Sequence, residues 1–258
     1  MSALENIRLK REILEWCACA GINDIVLNAS RLERLVAPAE DHSSGATNPR
    51  IQKLPTQDGY LKNVREAQTL DQLRQFLADF NLSPLKLTAQ NLVFADGNPA
   101  ANIMLIGEAP GADEDRLGKP FVGLSGQLLD KMLKSIELDR TSVYISNIVP
   151  WRPPGNRTPT IEEISMFLPF VHRHIELVAP KIVVCVGGTS AKALFDRSDG
   201  VMRMRGKWLD FKIEASGFSA DAMVIFHPAY LLRSPGQKAW AWADLLKIKQ
   251  RIDAVNYT

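Results

Sequence analysis

The sequence predicts an α/β fold in three layers, α/β/α, with a mainly parallel central sheet covered by helices on both faces. Three observations carry that prediction. Short apolar runs recur along the chain, each is followed by a stretch with helical apolar spacing, and glycines mark the turns between them. Strands buried on both faces read as continuous apolar runs, which is the pattern of a parallel sheet between helical layers. A chain of 258 residues, 46% hydrophobic and 23% charged, can bury such a core without disulfides or metals.

Taken in order, Leu4, Ile7, Ile13, Leu14 and Cys17 have helical spacing that Gly21 breaks. From Pro38 to Gly59 the composition shifts, and the aperiodic run Asp41 to Pro49 reads as a flexible linker. Residues 1–58 are therefore expected to be a helical extension with a tether, and residues 59–258 to form the main domain. A short helix is expected near Leu70 to Phe80. Asn102 to Ile106 is the first buried strand, and Leu124, Leu128, Leu129, Met132, Leu133 and Ile136 share one helical face after it. Val143 to Val149 is the second strand. Thr160-Ile161-Glu162-Glu163 forms a capping box, and the stripe behind it runs to Val178. Pro169 predicts a kink in that helix. Lys181 to Val186 is a third strand, followed by Gly187-Gly188 and a helix from about Thr189. Ala222 to Phe226 closes the core.

Charge and cysteine content narrow the function classes. A net charge of +2 leaves room for a local basic patch, not a globally cationic surface. Cys17, Cys19 and Cys185 supply neither a disulfide framework nor a four-thiolate metal site. No 18-residue apolar run exists and the first residues are charged, so no membrane partner and a reducing cytoplasm are expected.

In open α/β sheets ligands bind beyond the carboxyl ends of the strands, and three unusual segments fall there. Gly107-Glu108-Ala109-Pro110-Gly111 continues to Gly118-Lys119-Pro120-Phe121-Val122-Gly123. Its glycines let backbone N–H groups approach a ligand. It is no P-loop, because Asp113 occupies the position of the required glycine; a tight turn with a solvated acidic cluster, Asp113, Glu114 and Asp115, is the plainer reading. Asn147 sits inside an otherwise apolar strand and precedes Trp151 to Arg157. An amide offers the paired donor and acceptor that match the N3–H and O4 edge of uracil and mismatch cytosine. His227-Pro228-Ala229-Tyr230-Leu231-Leu232-Arg233-Ser234-Pro235 begins where the last strand stops. An imidazole there can stabilise a departing anion, and an apolar tip beside a cation suits a wedge that fills the gap of an unstacked base. Taken singly, each of these residues also has a structural reading.

Together the three segments resemble the uracil-DNA glycosylase superfamily, most of all its family 4, from about Leu73 to Leu246. The resemblance implies a four-stranded mainly parallel sheet between helical layers, with residues 59–258 as the catalytic domain. It implies a monofunctional DNA-repair glycosylase that flips uracil from DNA and hydrolyses its N-glycosidic bond, leaving an abasic site for base excision repair. Phe121 would stack on the base, Asn147 would read its edge, and His227 would bond O2. Gly107, Ala109 and Gly111 would line the pocket. Leu231 or its neighbours would enter the duplex, and Arg157, Arg233 and Lys238 would contact DNA. Glu108 would replace the Asp that other branches carry at the position of Ala109, with three roles open to it: activating water, steadying the sugar cation or bracing the turn. The expected partner is uracil-containing DNA, single- or double-stranded, and the expected state a monomer.

Family 4 members usually carry an iron–sulfur cluster on four cysteines. The corresponding positions here are Phe80, Ser83, Trp151 and Phe167, so the cluster is expected to be absent and replaced by packing. The alternative is a uracil-DNA binding protein without turnover. One superfamily branch traps the sugar on a His in an inserted basic loop, but Arg157 to Thr160 shows neither insertion nor His. A nucleotide-binding α/β protein is disfavoured by the missing phosphate-loop fingerprints. Among lesser features, Arg203, Arg205 and Lys207 read as a basic loop or a solvated turn. His172 and His174 read as surface residues, and Trp240 and Trp242 as packing.

Overall fold

The computed structural model describes residues 63–196 and 199–256. The extension, the tether and the boundary expected at residue 58 lie outside the described residues. Helices α1 (Leu70–Asp79) and α2 (Leu85–Thr88) precede strands β1 (Asp96–Gly97) and β2 (Ile103–Gly107). Helices α3 (Ala112–Leu117) and α4 (Leu124–Lys134) lead to β3 (Tyr144–Asn147), a 3₁₀ turn at Pro154–Asn156 and α5 (Ile161–Val178). Then come β4 (Ile182–Val186), α6 (Gly188–Phe195), α7 (Val201–Met204), β5 (Trp208–Ile213) and β6 (Phe218–Ile225). Helix α8 (Pro228–Arg233), a second 3₁₀ turn (Pro235–Gln237) and α9 (Lys238–Asn256) finish the chain.

The sheet has six strands in the order β1-β3-β2-β4-β6-β5, not the four that were expected. The four anticipated strands form its parallel centre, β3-β2-β4-β6. The two additions are antiparallel edges, β1 on β3 and β5 on β6. Strand β1 is two residues long, too short to leave a periodic signal. Strand β5 shows edge-strand alternation, with Phe211 and Ile213 buried between exposed Asp210 and Lys212.

Alternation of side chains along the buried strands divides the core in two. Met104 and Ile106 of β2, Val183 and Cys185 of β4, and Ala222 and Val224 of β6 pack with Leu73 and Leu77 of α1 and with Phe167, Phe170, Val171 and Ile175 of α5. The intervening Ile103, Leu105, Ile182, Val184, Met223 and Ile225 pack with Leu129 and Leu133 of α4 and Leu245 and Ile248 of α9. This is the three-layer arrangement read from the sequence.

Helix α5 starts on the expected capping box: the Glu163 N–H donates to Thr160 Oγ1 at 3.2 Å, and the Thr160 N–H to Glu163 Oε2 at 2.8 Å. It then runs without a break through Pro169 to Val178. His174 on this helix is not a surface residue: it is 5% exposed, its Nε2 lies 2.9 Å from Tyr144 Oη, and its ring stacks on Phe94 at 4.4 Å. The stripe Phe167, Phe170, Val171, Ile175 carries position 174 inward with it.

Burial holds the His174 imidazole down at about 3, against an ordinary 6.5. Below pH 6.5 the unfolded chain therefore binds a proton that the fold refuses, and stability falls as pH drops. Each such proton is worth about 1.4 kcal/mol per pH unit. The urea midpoint is expected to decline on acidification from neutrality, and His174→Gln to decline less steeply although it starts lower. Equal slopes in the two proteins would show that His174 does not contribute to the decline.

Candidate active site

The carboxyl ends of the parallel strands open onto a cleft of about 500 Å³. Glu108, Ala109, Gly111, Phe121, Asn147, Arg157, His227 and Arg233 all line it, so the three strand-end segments converge as expected. Gly107 lies beneath them. It ends β2 in register with Asn147 at the end of β3. A Cβ on Gly107 would sit 2.4 Å from Asn147 Oδ1 and 2.6 Å from two Phe121 ring carbons. The amide and the aromatic ring thus meet over one residue that has no side chain.

Phe121 is 5% exposed, and its ring centroid is 5.6 Å from that of His227. Its φ of +54° lies in the left-handed region, which costs a non-glycine residue roughly 1–2 kcal/mol. The turn is held on both sides. Arg140 donates to the carbonyls of Pro120 and Phe121, and Glu114 Oε1 accepts from the Val122 and Gly123 N–H groups at 2.8 and 2.9 Å. Glu114 Oε2 also accepts from the Gly111 N–H at 3.1 Å, so one carboxylate ties two walls of the cleft together.

The solvated acidic cluster expected at 113–115 is therefore corrected. Asp115 is 2% exposed and accepts from the Gln90 and Asn91 N–H groups at 2.8 and 3.1 Å. Asp113 alone of the three keeps to the surface, paired with Arg116. A carboxylate near unpaired loop N–H groups is drawn inward because those donors need acceptors, a need invisible in charge counting.

His227 caps α8. Its Nδ1 accepts from the Ala229 N–H at 3.1 Å, which puts the proton of the neutral ring on Nε2. Burial first, and the nearby Arg233 charge second, push its pKa down to about 4, with Glu114 opposing. The ring is neutral at pH 7 and presents an Nε2–H donor. Its approach depends on Gly187, at φ +104°, where a Cβ would lie 3.1 Å from His227 Cβ. The Gly187-Gly188 pair after β4 was the sequence signal for this contact.

Four expectations change. Leu231 does not reach solvent: it is 1% exposed in the α4 and α9 core, and the apolar side chain presented beside Arg233 is Leu232, 45% exposed. On the short helix α8 the residue facing the sheet and its neighbour point in different directions. Arg157 lines the cleft, but its guanidinium is engaged by both oxygens of Glu163, at 2.8 and 2.6 Å. Arg205 is no loop cation either, since it pairs with the buried Asp244 at 2.9 Å and stacks on Trp240. Trp240 and Trp242 are exposed rather than packed inward. Arg233 and Lys238 are exposed; Arg233 sits at the cleft and Lys238 opens α9. Ser125, Asn156, Thr158 and Tyr230 line the cleft without having been singled out. Asn156 had a signal in its Pro-Pro-Gly-Asn turn, where it takes φ +57°.

Phe80, Trp151 and Phe167 pack together, and neither they nor Ser83 line the cleft. Phe167 meets Phe80 edge-on at 5.8 Å and Trp151 at 5.4 Å, and Ser83 is 2% exposed with its Oγ accepting from the Leu85 N–H. Three aromatic rings and one committed hydroxyl do not fit a thiolate-bound cluster.

The family model described as Uracil DNA glycosylase superfamily matches residues 94–247, which include all three loops. The chain is similar to the Type-4 uracil-DNA glycosylase of Archaeoglobus fulgidus, 37% identical over 185 residues, covering 70% of this chain and 92% of that one. It is similar to that of Pyrobaculum aerophilum, 35% identical over 180 residues, covering 68% and 91%. To that of Thermotoga maritima it is 38% identical over 155 residues, covering 58% and 77%.

The contacts at Gly107 yield a direct expectation. Gly107→Ala forces either the Asn147 amide or the Phe121 ring aside, and overpacking of this kind costs about 1–3 kcal/mol. Chemical denaturation of the variant measures it, and an unchanged midpoint would show that the three residues do not meet as described.

Proposed function

The chain belongs to the uracil-DNA glycosylase superfamily, and from that premise we propose how its cleft works. The protein is a uracil-DNA glycosylase of DNA repair, cleaving uracil from DNA and leaving an abasic site. The observation that carries the mechanism is the convergence of the Phe121 ring, the Asn147 amide and the His227 imidazole on one cleft.

Uracil unstacks, at a cost of a few kcal/mol, and enters the cleft. Phe121 stacks on its face. The Asn147 side chain, 6% exposed at a strand end, pairs with N3–H and O4. Cytosine offers the reversed pattern, so its entry would leave buried polar groups unpaired. The bond between C1′ and N1 then breaks, with its electron pair going to the base. Negative charge gathers at O2, where the His227 Nε2–H donates. A neutral N–H donor at this point bonds the developing anion without placing a buried charge in the resting cleft, and burial strengthens the bond. Glu108 sets a carboxylate beside the sugar, where it stabilises the positive charge and takes the proton of the water that adds to C1′. Arg233 and Lys238 meet phosphates, and Leu232, rather than Leu231, fills the gap in the stack.

The substrate is uracil-containing DNA, single- or double-stranded, and the working form is a monomer in the cytoplasm. No described helix is long and apolar enough to cross a membrane. Packing of Phe80, Trp151 and Phe167 takes the structural part that a metal cluster plays in related proteins, and no step passes through a metal.

Incubation with a labelled uracil oligonucleotide, followed by alkali, tests the reaction. Scission at the uracil is expected, with His227→Ala and Asn147→Ala each reducing turnover by roughly 10²-fold or more while remaining folded. A folded variant with native turnover removes that residue from the mechanism. A shifted band that survives denaturing electrophoresis, without scission, would mean trapping instead of hydrolysis.

A further inference from the structure

We propose that Arg140 is a positioning residue for uracil excision, acting through Phe121; this rests on the reading of Phe121 as the stacking ring. Arg140 stands in the loop between α4 and β3 and is not among the residues that line the cleft. It nevertheless holds the backbone of the ring that does. Its Nη2 donates to the Phe121 carbonyl and its Nη1 to the Pro120 carbonyl at 3.1 Å. The guanidinium is itself fixed by Asp96 of β1, at 2.8 Å from Nη1, and by Asp130 of α4, at 2.8 Å from Nε.

This grip answers a specific need. A phenylalanine at φ +54° relaxes to a commoner backbone conformation unless its surroundings over-determine it, and relaxation would turn the ring away from His227. Helix α4 makes room for the strained turn, since a Cβ on Gly126 would fall 1.7 Å from the Phe121 carbonyl oxygen. Glu114 secures the next two N–H groups, and Arg140 secures the two preceding carbonyls. All three guanidinium nitrogens are used, a planar arrangement that a lysine ammonium does not reproduce.

A double-mutant cycle in steady-state kinetics tests the coupling. Arg140→Gln is expected to lower kcat/KM by about tenfold, with KM rising more than kcat falls, because a misplaced ring weakens binding of the flipped base in ground and transition states alike. Added to Phe121→Ala, the same change is expected to cost less than about twofold, since the residue through which it acts is gone. Equal losses in both backgrounds, or native kinetics for Arg140→Gln, overturn the proposal. Should Arg140→Gln fold poorly by circular dichroism, Asp96→Asn, which removes one anchor of the guanidinium, takes its place with the same expectations and the same overturning results. Native kinetics for Phe121→Ala alone would instead sink the stacking role of Phe121, an outcome separable from the first.

Discussion

Everything in the cleft depends on the parallel pairing of β2 with β3, which sets Gly107 directly beside Asn147. A strand that ended in any other residue would project a Cβ into the amide and the aromatic ring at once. Because the pairing lies inside a sheet buried on both faces, slipping it by one residue would exchange the two halves of the core. The hydrophobic layers therefore fix the register, and the register sets the Asn147 amide beside the bare Gly107 that the Phe121 ring also approaches.

A second dependence runs from burial to chemistry. His227 follows the carboxyl end of β6, caps α8 and spends its Nδ1 on the Ala229 N–H. With that acceptor committed and the ring desolvated, the imidazole stays neutral and keeps its proton on Nε2. Arg233, which serves DNA contact in the proposed mechanism, also works against protonation of the same ring. The glycines at 107 and 187 serve the two sides of one device: each lets a functional side chain approach a strand end more closely than any other residue would allow.

What the sequence made legible was whatever local pattern encodes. The central strands are continuous apolar runs, and α5 begins on its capping box and ends at the residue the stripe indicated. The three loops were legible because glycine, proline and an isolated polar residue at a strand end are rare together. The failures share a cause, which is that a partner distant in the chain decides the outcome. Asp115 is buried because Gln90 and Asn91 need an acceptor, and Arg205 leaves the surface because Asp244 on α9 receives it. His174 turns inward to Tyr144 and Phe94, and Leu231 rather than Leu232 is claimed by the core. The edge strands escaped notice because one is two residues long and the other is half exposed.

Phe80, Trp151 and Phe167 pack the junction between α1, the loop after β3 and α5 with aromatic rings. The cleft does not touch it. The central claim, that one pyrimidine is enclosed by ring, amide and imidazole, is tested most directly by a crystal structure of the protein soaked with free uracil. The account predicts the base lying flat on Phe121, with Asn147 bonded to N3 and O4 and His227 Nε2 bonded to O2. Uracil bound elsewhere, or in the cleft with O2 turned away from His227, would contradict it.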